Sequence, residues 1–133
     1  MPRIVVIDDS PTVCAIVRLL LRDRWTVETY LRPFPALQDL WRQAETPPAA
    51  VILDVELPQL DGFAIACLLR QEAPAPLCSV PIIGISVRDG VLDRVKGRVA
   101  GMNAYLTKPF DPADLLHLLS TLSVGPLLLA SLG

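Results

Sequence analysis

The chain has 133 residues and a mass of 14.5 kDa, which is the size of one domain. Its 12 Lys+Arg against 14 Asp+Glu leave a net charge of -2, which excludes a protein that grips nucleic acid mainly through its phosphates, a task needing a basic face. Mean hydropathy is high at +0.46, yet no apolar run approaches the roughly 20 residues that span a bilayer. Asp8 and Asp9 also interrupt the apolar stretch at the start where a signal peptide would need continuity.

Ile4-Val5-Val6-Ile7 is a continuous apolar run and reads as a first strand. Ser10 suits the cap of a following helix and Pro11 its first turn. Val13, Ile16, Val17, Leu20 and Leu21 then repeat at helical spacing, with Arg18 and Arg22 off the stripe. Trp25 to Leu31 alternates in part, as a strand nearer an edge would. Leu37, Leu40, Trp41 and Ala44 mark a second helix, Val51-Ile52-Leu53 a third strand, and Phe63 to Glu72 a third helix. Pro74, Pro76 and Pro81 punctuate a longer loop before the strand Ile82-Ile83-Gly84-Ile85. Leu92 to Ala100 reads as a fourth helix and Ala104-Tyr105-Leu106 as a fifth, weaker strand. Asp111 and Pro112 open a last helix on Leu115, Leu118, Leu119 and Leu122, with Leu116 off its stripe. Gly125-Pro126 is expected to stop this helix near Val124, leaving 125–133 as an apolar tail behind a domain over 1–124. That tail either folds back, mediates dimerisation or is the stub of a longer chain.

Strand then helix, five times over, is the pattern of an open α/β domain with right-handed crossovers. Strands that are apolar throughout are those covered on both faces, as in a parallel sheet between helix layers. Cys14, Cys67 and Cys78 are widely spaced and form no zinc pattern with the single His117, so they read as small residues of a reducing compartment. His117 itself fits an exposed or an interface position equally well.

The chemistry lies in the placement of charge. Asp8 and Asp9 follow the first strand, Asp54 ends the third, Ser86 follows the fourth and Lys108-Pro109 the fifth. In such a sheet the carboxyl ends of the strands converge on a ligand crevice. With the first and third strands adjacent, as in the flavodoxin-like order, three carboxylates share one pocket. Each like-charge pair at about 4 Å costs on the order of 4 kcal/mol at an effective dielectric near 20. Lys108 supplies one compensating charge, and a hard divalent ion with oxygen ligands, Mg²⁺ above all, would supply the rest. A metal and a lysine on phosphoryl oxygens, a hydroxyl hydrogen-bonded to one of them and an in-line carboxylate are the parts of a phosphoryl-transfer site. A single Asp after a strand would be an ordinary cap or turn residue; it is the set that carries the reading.

Val-Ile-Asp-Asp-Ser at 6–10, Ile-Leu-Asp-Val-Glu-Leu-Pro at 52–58, Asp61-Gly62, Ile85-Ser86 and Ala-Gly-Met-Asn-Ala-Tyr-Leu-Thr-Lys-Pro-Phe at 100–110 cover nearly the whole chain. With these motifs the chain resembles the receiver domain of two-component response regulators, of the single-domain chemotaxis type. The resemblance implies a flavodoxin-like (βα)5 three-layer sandwich whose five-stranded parallel sheet has the order 2-1-3-4-5. It implies Asp54 as phosphoacceptor, and Mg²⁺ held by Asp9, Asp54 and the backbone carbonyl of Glu56, with Asp8 acting mainly through water. It implies Ser86 as switch hydroxyl, Lys108 as phosphate-binding lysine, Tyr105 as an aromatic that turns inward on activation, and a cis peptide before Pro109. A sensor histidine kinase is the implied donor. The surface of the fourth helix, fifth strand and fifth helix is the implied output face, in a cytoplasmic protein that is monomeric or weakly dimeric, contacts no DNA itself and is no enzyme toward an external substrate.

A finer resemblance, in residues 87–101 and 9–14, is to regulators of type IV pilus twitching motility and related cyanobacterial ones. Arg94, Lys96 and Arg98 in that stretch suit either a solvated helix face or contact with an acidic partner. One departure is Val87, where the family usually has a small residue; a branched side chain there is expected to hinder phosphodonors and hydrolytic water. Glu56 and Arg88 occupy the variable positions flanking the acceptor and are expected to pair across it. Two other readings remain open at this point. One is a receiver fold that docks without phosphate; the other is a haloacid-dehalogenase-like phosphatase, whose Asp-x-Asp strand Asp54-Val55-Glu56 matches only loosely.

Overall fold

The computed structural model describes residues 1–132, and side chains for residues 1–122. The elements run β1 (Arg3–Ile7), α1 (Pro11–Leu21), β2 (Thr26–Tyr30), α2 (Pro33–Arg42), β3 (Ala50–Asp54), α3 (Gly62–Glu72), a 3-10 turn (Leu77–Ser79), β4 (Ile82–Ser86), α4 (Val91–Ala100), β5 (Ala104–Thr107) and α5 (Pro112–Leu132). All strand pairings are parallel and the order is β2-β1-β3-β4-β5. The flavodoxin-like sandwich expected from the sequence is therefore the fold.

Burial follows position in the sheet. β3 and β4 are buried at every residue and β1 at all but its first, whereas β5 is half-buried and β2 no more than that. This is why the central runs are continuously apolar and the edge strands are not. Successive side chains of β1 point to opposite faces. Val5 and Ile7 join Leu37, Leu40, Ile65 and Leu69 in the layer under α2 and α3. Ile4 and Val6 join Val17, Leu21, Leu115 and Leu119 in the layer under α1 and α5, against which Leu116 also packs. Each fully buried Leu or Ile in these layers contributes about 1.5–3 kcal/mol.

The expected caps form. Ser10 Oγ accepts from Val13 N at 3.2 Å with Pro11 behind it, and Asp61 Oδ1 accepts from Ala64 N at 2.8 Å. Asp111 Oδ1 accepts from Ala113 N at 2.9 Å at the start of α5. Two features differ from the sequence reading. The proline loop before β4 contains the 3-10 turn and a cis Ala75-Pro76 peptide. α5 also runs on to Leu132, past the pair expected to end it; a helix can carry one proline at the loss of one hydrogen bond, and the leucines around it are strong helix formers. The expectations for the side chains of the 125–133 tail lie outside the described residues. Among the described residues no helix is long and apolar enough to cross a membrane.

Candidate functional site

Parallel pairing in register brings the carboxyl ends of β1, β3, β4 and β5 to one edge of the sheet. Asp8 follows β1 and Asp54 is the last residue of β3; both are buried, Asp8 with no exposed surface and Asp54 at 2 %. Asp9 stays exposed at the mouth. One carboxylate oxygen from each of the three lies within 4.8 Å of the others. Oxygen donors at that separation fit a hard divalent cation of the Mg²⁺ type.

The two buried carboxylates are each held by a backbone amide. Ser10 N donates to Asp8 Oδ1 at 2.9 Å and Glu56 N donates to Asp54 Oδ1 at 3.1 Å. Lys108 reaches in from the far side, with Nζ 2.8 Å from Asp8 Oδ2 and 3.5 Å from Asp54 Oδ1. The Lys108-Pro109 peptide is cis, as expected. Lys108 N is tied to Ser86 O at 2.7 Å. Gly62, of the Asp-Gly pair, lets the start of α3 close on this end of β3. A Cβ there would stand 2.5 Å from the carbonyl oxygen of Asp54 and 2.8 Å from Val55 Cα, so only glycine fits without moving the strand end.

Charge in the pocket is under-compensated. Burial first, and then the carboxylate of Asp8, pushes the Asp54 pKa up to about 7, while the Glu56 amide and Lys108 pull it down. Partial desolvation would lower the Lys108 pKa, but Asp8 and Asp54 outweigh it and hold the ammonium above its ordinary value. One lysine thus faces three carboxylates, a set whose remaining charge a divalent cation would balance.

Around this centre lies a second cluster. Ser86 is buried, and its hydroxyl donates to Glu56 Oε1 and accepts from Arg88 N at 2.9 Å. Arg88 Nε stands 3.7 Å from the same Glu56 oxygen, so the expected Glu56–Arg88 pair is present and takes in Ser86 as well. Tyr105 is half-buried; its hydroxyl donates to the Arg88 carbonyl at 3.1 Å and its ring lies 5.4 Å from the Arg94 guanidinium. Val87 is 67 % exposed. It lines an apolar groove of about 290 Å³ with Val13, Ile16, Leu20, Lys108 and Phe110. Asp8, Asp9, Asp54, Glu56, Ser86, Val87, Arg88, Lys108 and Pro109 therefore fall at or just past the carboxyl ends of β1, β3, β4 and β5, with Tyr105 inside β5 beside them.

Sequence reasoning missed the amides of Ser10 and Glu56, which no side-chain pattern announces. It also missed the Arg94–Asp89–Thr107 network on the loop side of α4, with Arg94 to Asp89 at 2.7 Å and Thr107 to Asp89 at 3.0 Å. The three cysteines are free thiols, and Cys14 is buried beneath the pocket with Sγ 3.4 Å from the Asp8 carbonyl.

Residues 4–120 match the family model of the response regulator receiver domain. The chain is 36% identical over 115 residues to Protein PilG of Pseudomonas aeruginosa, covering 86% of this chain and 82% of that protein. It spans about half the length of several other curated relatives that it matches. Among solved structures it is similar to a putative response regulator from Chloroflexus aurantiacus, with a TM-score of 0.82 and 30% identity over 92% of this chain and 98% of that one. It is also similar to the receiver domain of the sensor histidine kinase PA1611 from Pseudomonas aeruginosa, whose active-site cleft holds a coordinated magnesium ion. That TM-score is 0.79, with 28% identity over 92% of this chain and 97% of the other.

Proposed function

The chain belongs to the response regulator receiver domain family, and on that premise we propose that Asp54 accepts a phosphoryl group from the phosphohistidine of a sensor histidine kinase in an Mg²⁺-dependent transfer. The observation that carries this reading is a buried strand-end carboxylate with Lys108 Nζ 3.5 Å away and two further carboxylates within reach of one cation. Asp8, Asp9, Asp54 and the carbonyl of Glu56 are the residues that would hold Mg²⁺. When bound, the ion supplies charge neutralisation for the phosphoryl oxygens. An Asp54 oxygen forms the new bond to phosphorus while the phosphorus–nitrogen bond to histidine breaks, and the histidine nitrogen leaves with the electron pair. Lys108 binds a phosphoryl oxygen, and the backbone amides of Ser10 and Glu56 hold Asp8 and Asp54 in place. The domain is a signalling domain of a family that modifies itself rather than an enzyme with an external substrate.

Ser86 is the switch hydroxyl in this reading. A hydroxyl has one proton to donate, and here it goes to Glu56. Phosphorylation adds nearly two negative charges and three acceptor oxygens, which draw Ser86 and Lys108 toward Asp54 and take the Ser86 hydroxyl off Glu56, leaving the Glu56–Arg88 pair. Tyr105, bonded to the Arg88 carbonyl, carries the change to the face of α4, β5 and α5, where a protein partner reads it. The Glu56–Arg88 pair shields the acyl phosphate and Val87 narrows the approach beside it. Glu56→Ala and Val87→Ala are each expected to shorten the phosphoryl lifetime severalfold, and unchanged decay would remove both roles. We place this activity in the cytoplasm, in a monomer or weak dimer formed by residues 1–124. Type IV pilus motility or a chemotaxis-like pathway is the output, a reading supported by residues 87–101 and by the likeness to Protein PilG.

Incubation with acetyl phosphate, with and without Mg²⁺, followed by intact mass tests the central claim. A phosphoryl adduct that disappears in Asp54→Ala and without Mg²⁺ is expected. If neither acetyl phosphate nor a cognate kinase labels Asp54, the phosphate-independent docking module becomes the better reading.

A further inference from the structure

α4 leaves an unusual amount of apolar surface in solvent. Val91, Leu92, Val95 and Val99 are all exposed, Leu92 at 77% and Val99 at 82%. At about 100° per residue these four positions fall in one arc about 100° wide. Lys96 borders the arc on one side and Arg98 on the other. Among the described residues neither cation has a carboxylate within ion-pair distance. On the Lys96 side the stripe continues into a groove of about 340 Å³ against α3, floored by Phe63 and Cys67. The opposite side of α4, toward β5, is polar and satisfied. There Arg94 donates to Asp89 Oδ1 at 2.7 Å, to the Tyr105 carbonyl at 3.3 Å and to Thr107 Oγ1 at 3.1 Å.

We infer that the α3–α4 groove is a docking site for an amphipathic helix of a partner protein, one whose apolar stripe is flanked by acidic residues. This groove lies on the side of α4 toward α3, only Arg98 at the far edge of the stripe also lining the β5 side, and it does not rest on the phosphoryl switch. The helical form of the partner follows from the long, narrow stripe, which matches side chains at i, i+3, i+4 and i+7. Its acidity follows from the two unanswered cations at the stripe's edges. A second copy of this chain fits less well, because a two-fold contact would set Lys96 and Arg98 against their own likenesses. The chain's own segment 125–133 contains no acidic residue and would answer neither cation.

The test uses the full chain and two synthetic helical peptides of 18 residues that share one leucine stripe, flanked by Glu in the first and by Lys in the second. Fluorescence anisotropy gives affinity, and amide chemical shifts locate the contact. Two screened ion pairs make the Glu peptide bind about fivefold more tightly, with shifts in residues 63–67 and 92–99. The exposed Val99→Glu variant loses this binding, His117→Ala on the exposed side of α5 keeps it, and Lys96→Glu with Arg98→Glu reverses the preference between peptides. Absence of binding, equal affinity for the two peptides, shifts confined to β5 and α5, or concentration-dependent dimerisation through Val99 would each overturn the inference.

Discussion

Two half-hidden charged clusters toward opposite ends of α3 handle the same electrostatic problem in different ways. Arg70, near the end of α3, donates Nε to the Gly101 carbonyl at 3.0 Å. Its terminal nitrogens donate to the carbonyls of Cys78 at 3.0 Å and Val80 at 2.7 Å and to Asn103 Oδ1 at 2.9 Å. Asn103 Oδ1 in turn accepts from Ile82 N at 2.8 Å. Burial lowers the Arg70 pKa, but neutral oxygens surround the guanidinium and the cluster needs nothing from outside. At the other end Asp8, Asp9 and Asp54 face one lysine, and Asp54 is held up to about 7. The first arrangement ties α3 to β4 and β5. The second is left short of positive charge, a shortage that the proposed Mg²⁺ would offset.

The contrast breaks most visibly at Arg70. Arg70→Met keeps much of the stem's packing but leaves three carbonyl oxygens, of Cys78, Val80 and Gly101, without their donor. Each orphaned buried group costs about 1–3 kcal/mol, with water recovering part, so chemical denaturation should show a loss of about 3 kcal/mol. Phosphoryl uptake by the surviving folded fraction should be unchanged. A loss of stability below about 1 kcal/mol would mean that the Arg70 cluster is ornamental.

The pocket should respond in the opposite direction. Asp54 has a folded-state pKa raised from 3.8 to about 7, so between those values the folded state binds more protons than the unfolded state. Stability contributed by the protonated group is present below pH 4 and is lost as pH rises through 7. Asp54→Asn removes that loss. Without Mg²⁺ it should stabilise the protein by about 2 kcal/mol at pH 8, discounted from the full shift for relaxation, and by almost nothing at pH 4. Adding Mg²⁺ should raise the melting temperature of the parent at pH 8 and that of Asp54→Asn much less. A gain from Asp54→Asn that did not vary with pH would refute the charge argument.

How far these two clusters were legible in the sequence differs for a physical reason. The acidic pocket was legible because its members sit at the ends of apolar runs, and parallel pairing then fixes where they meet. Ser86 and Lys108 followed by the same logic, whereas Tyr105, inside β5, was legible only through the family resemblance. The Arg70 cluster gave no signal, because its partners are carbonyls and one amide from segments 8 to 33 residues away. Main-chain acceptors carry no sequence signature. Val87 shows a milder limit. Its place beside Ser86 was clear, but whether its side chain covers the acceptor depends on the path of the β4–α4 loop. The length of α5 depended on how one Gly-Pro pair weighs against its leucine neighbours, a balance too close for pattern reading.

The smallest expected effects come from adding one methyl group beside each cluster. Gly101 has a φ of +102° and lies just past α4, where Gly101 N and Met102 N close the helix on the carbonyls of Arg98 and Gly97. An L-residue in that conformation costs about 1–2 kcal/mol, and the new Cβ would stand 2.5 Å from Arg70 Cγ. Arg70 is long and can yield, so Gly101→Ala should cost about 1–2 kcal/mol of stability and leave phosphorylation alone. Gly62→Ala meets backbone instead, at the Asp54 carbonyl and Val55 Cα, and neither can rotate away. Overpacking of this kind costs about 1–3 kcal/mol, and here the displaced atoms belong to the acceptor's own strand end. Gly62→Ala should therefore slow acetyl phosphate labelling of Asp54 by more than its stability loss explains, while Gly101→Ala of similar stability labels at the parent rate. Equal labelling by the two variants would show that the site tolerates strand movement and that the two clusters differ less in positional demand than their charge suggests.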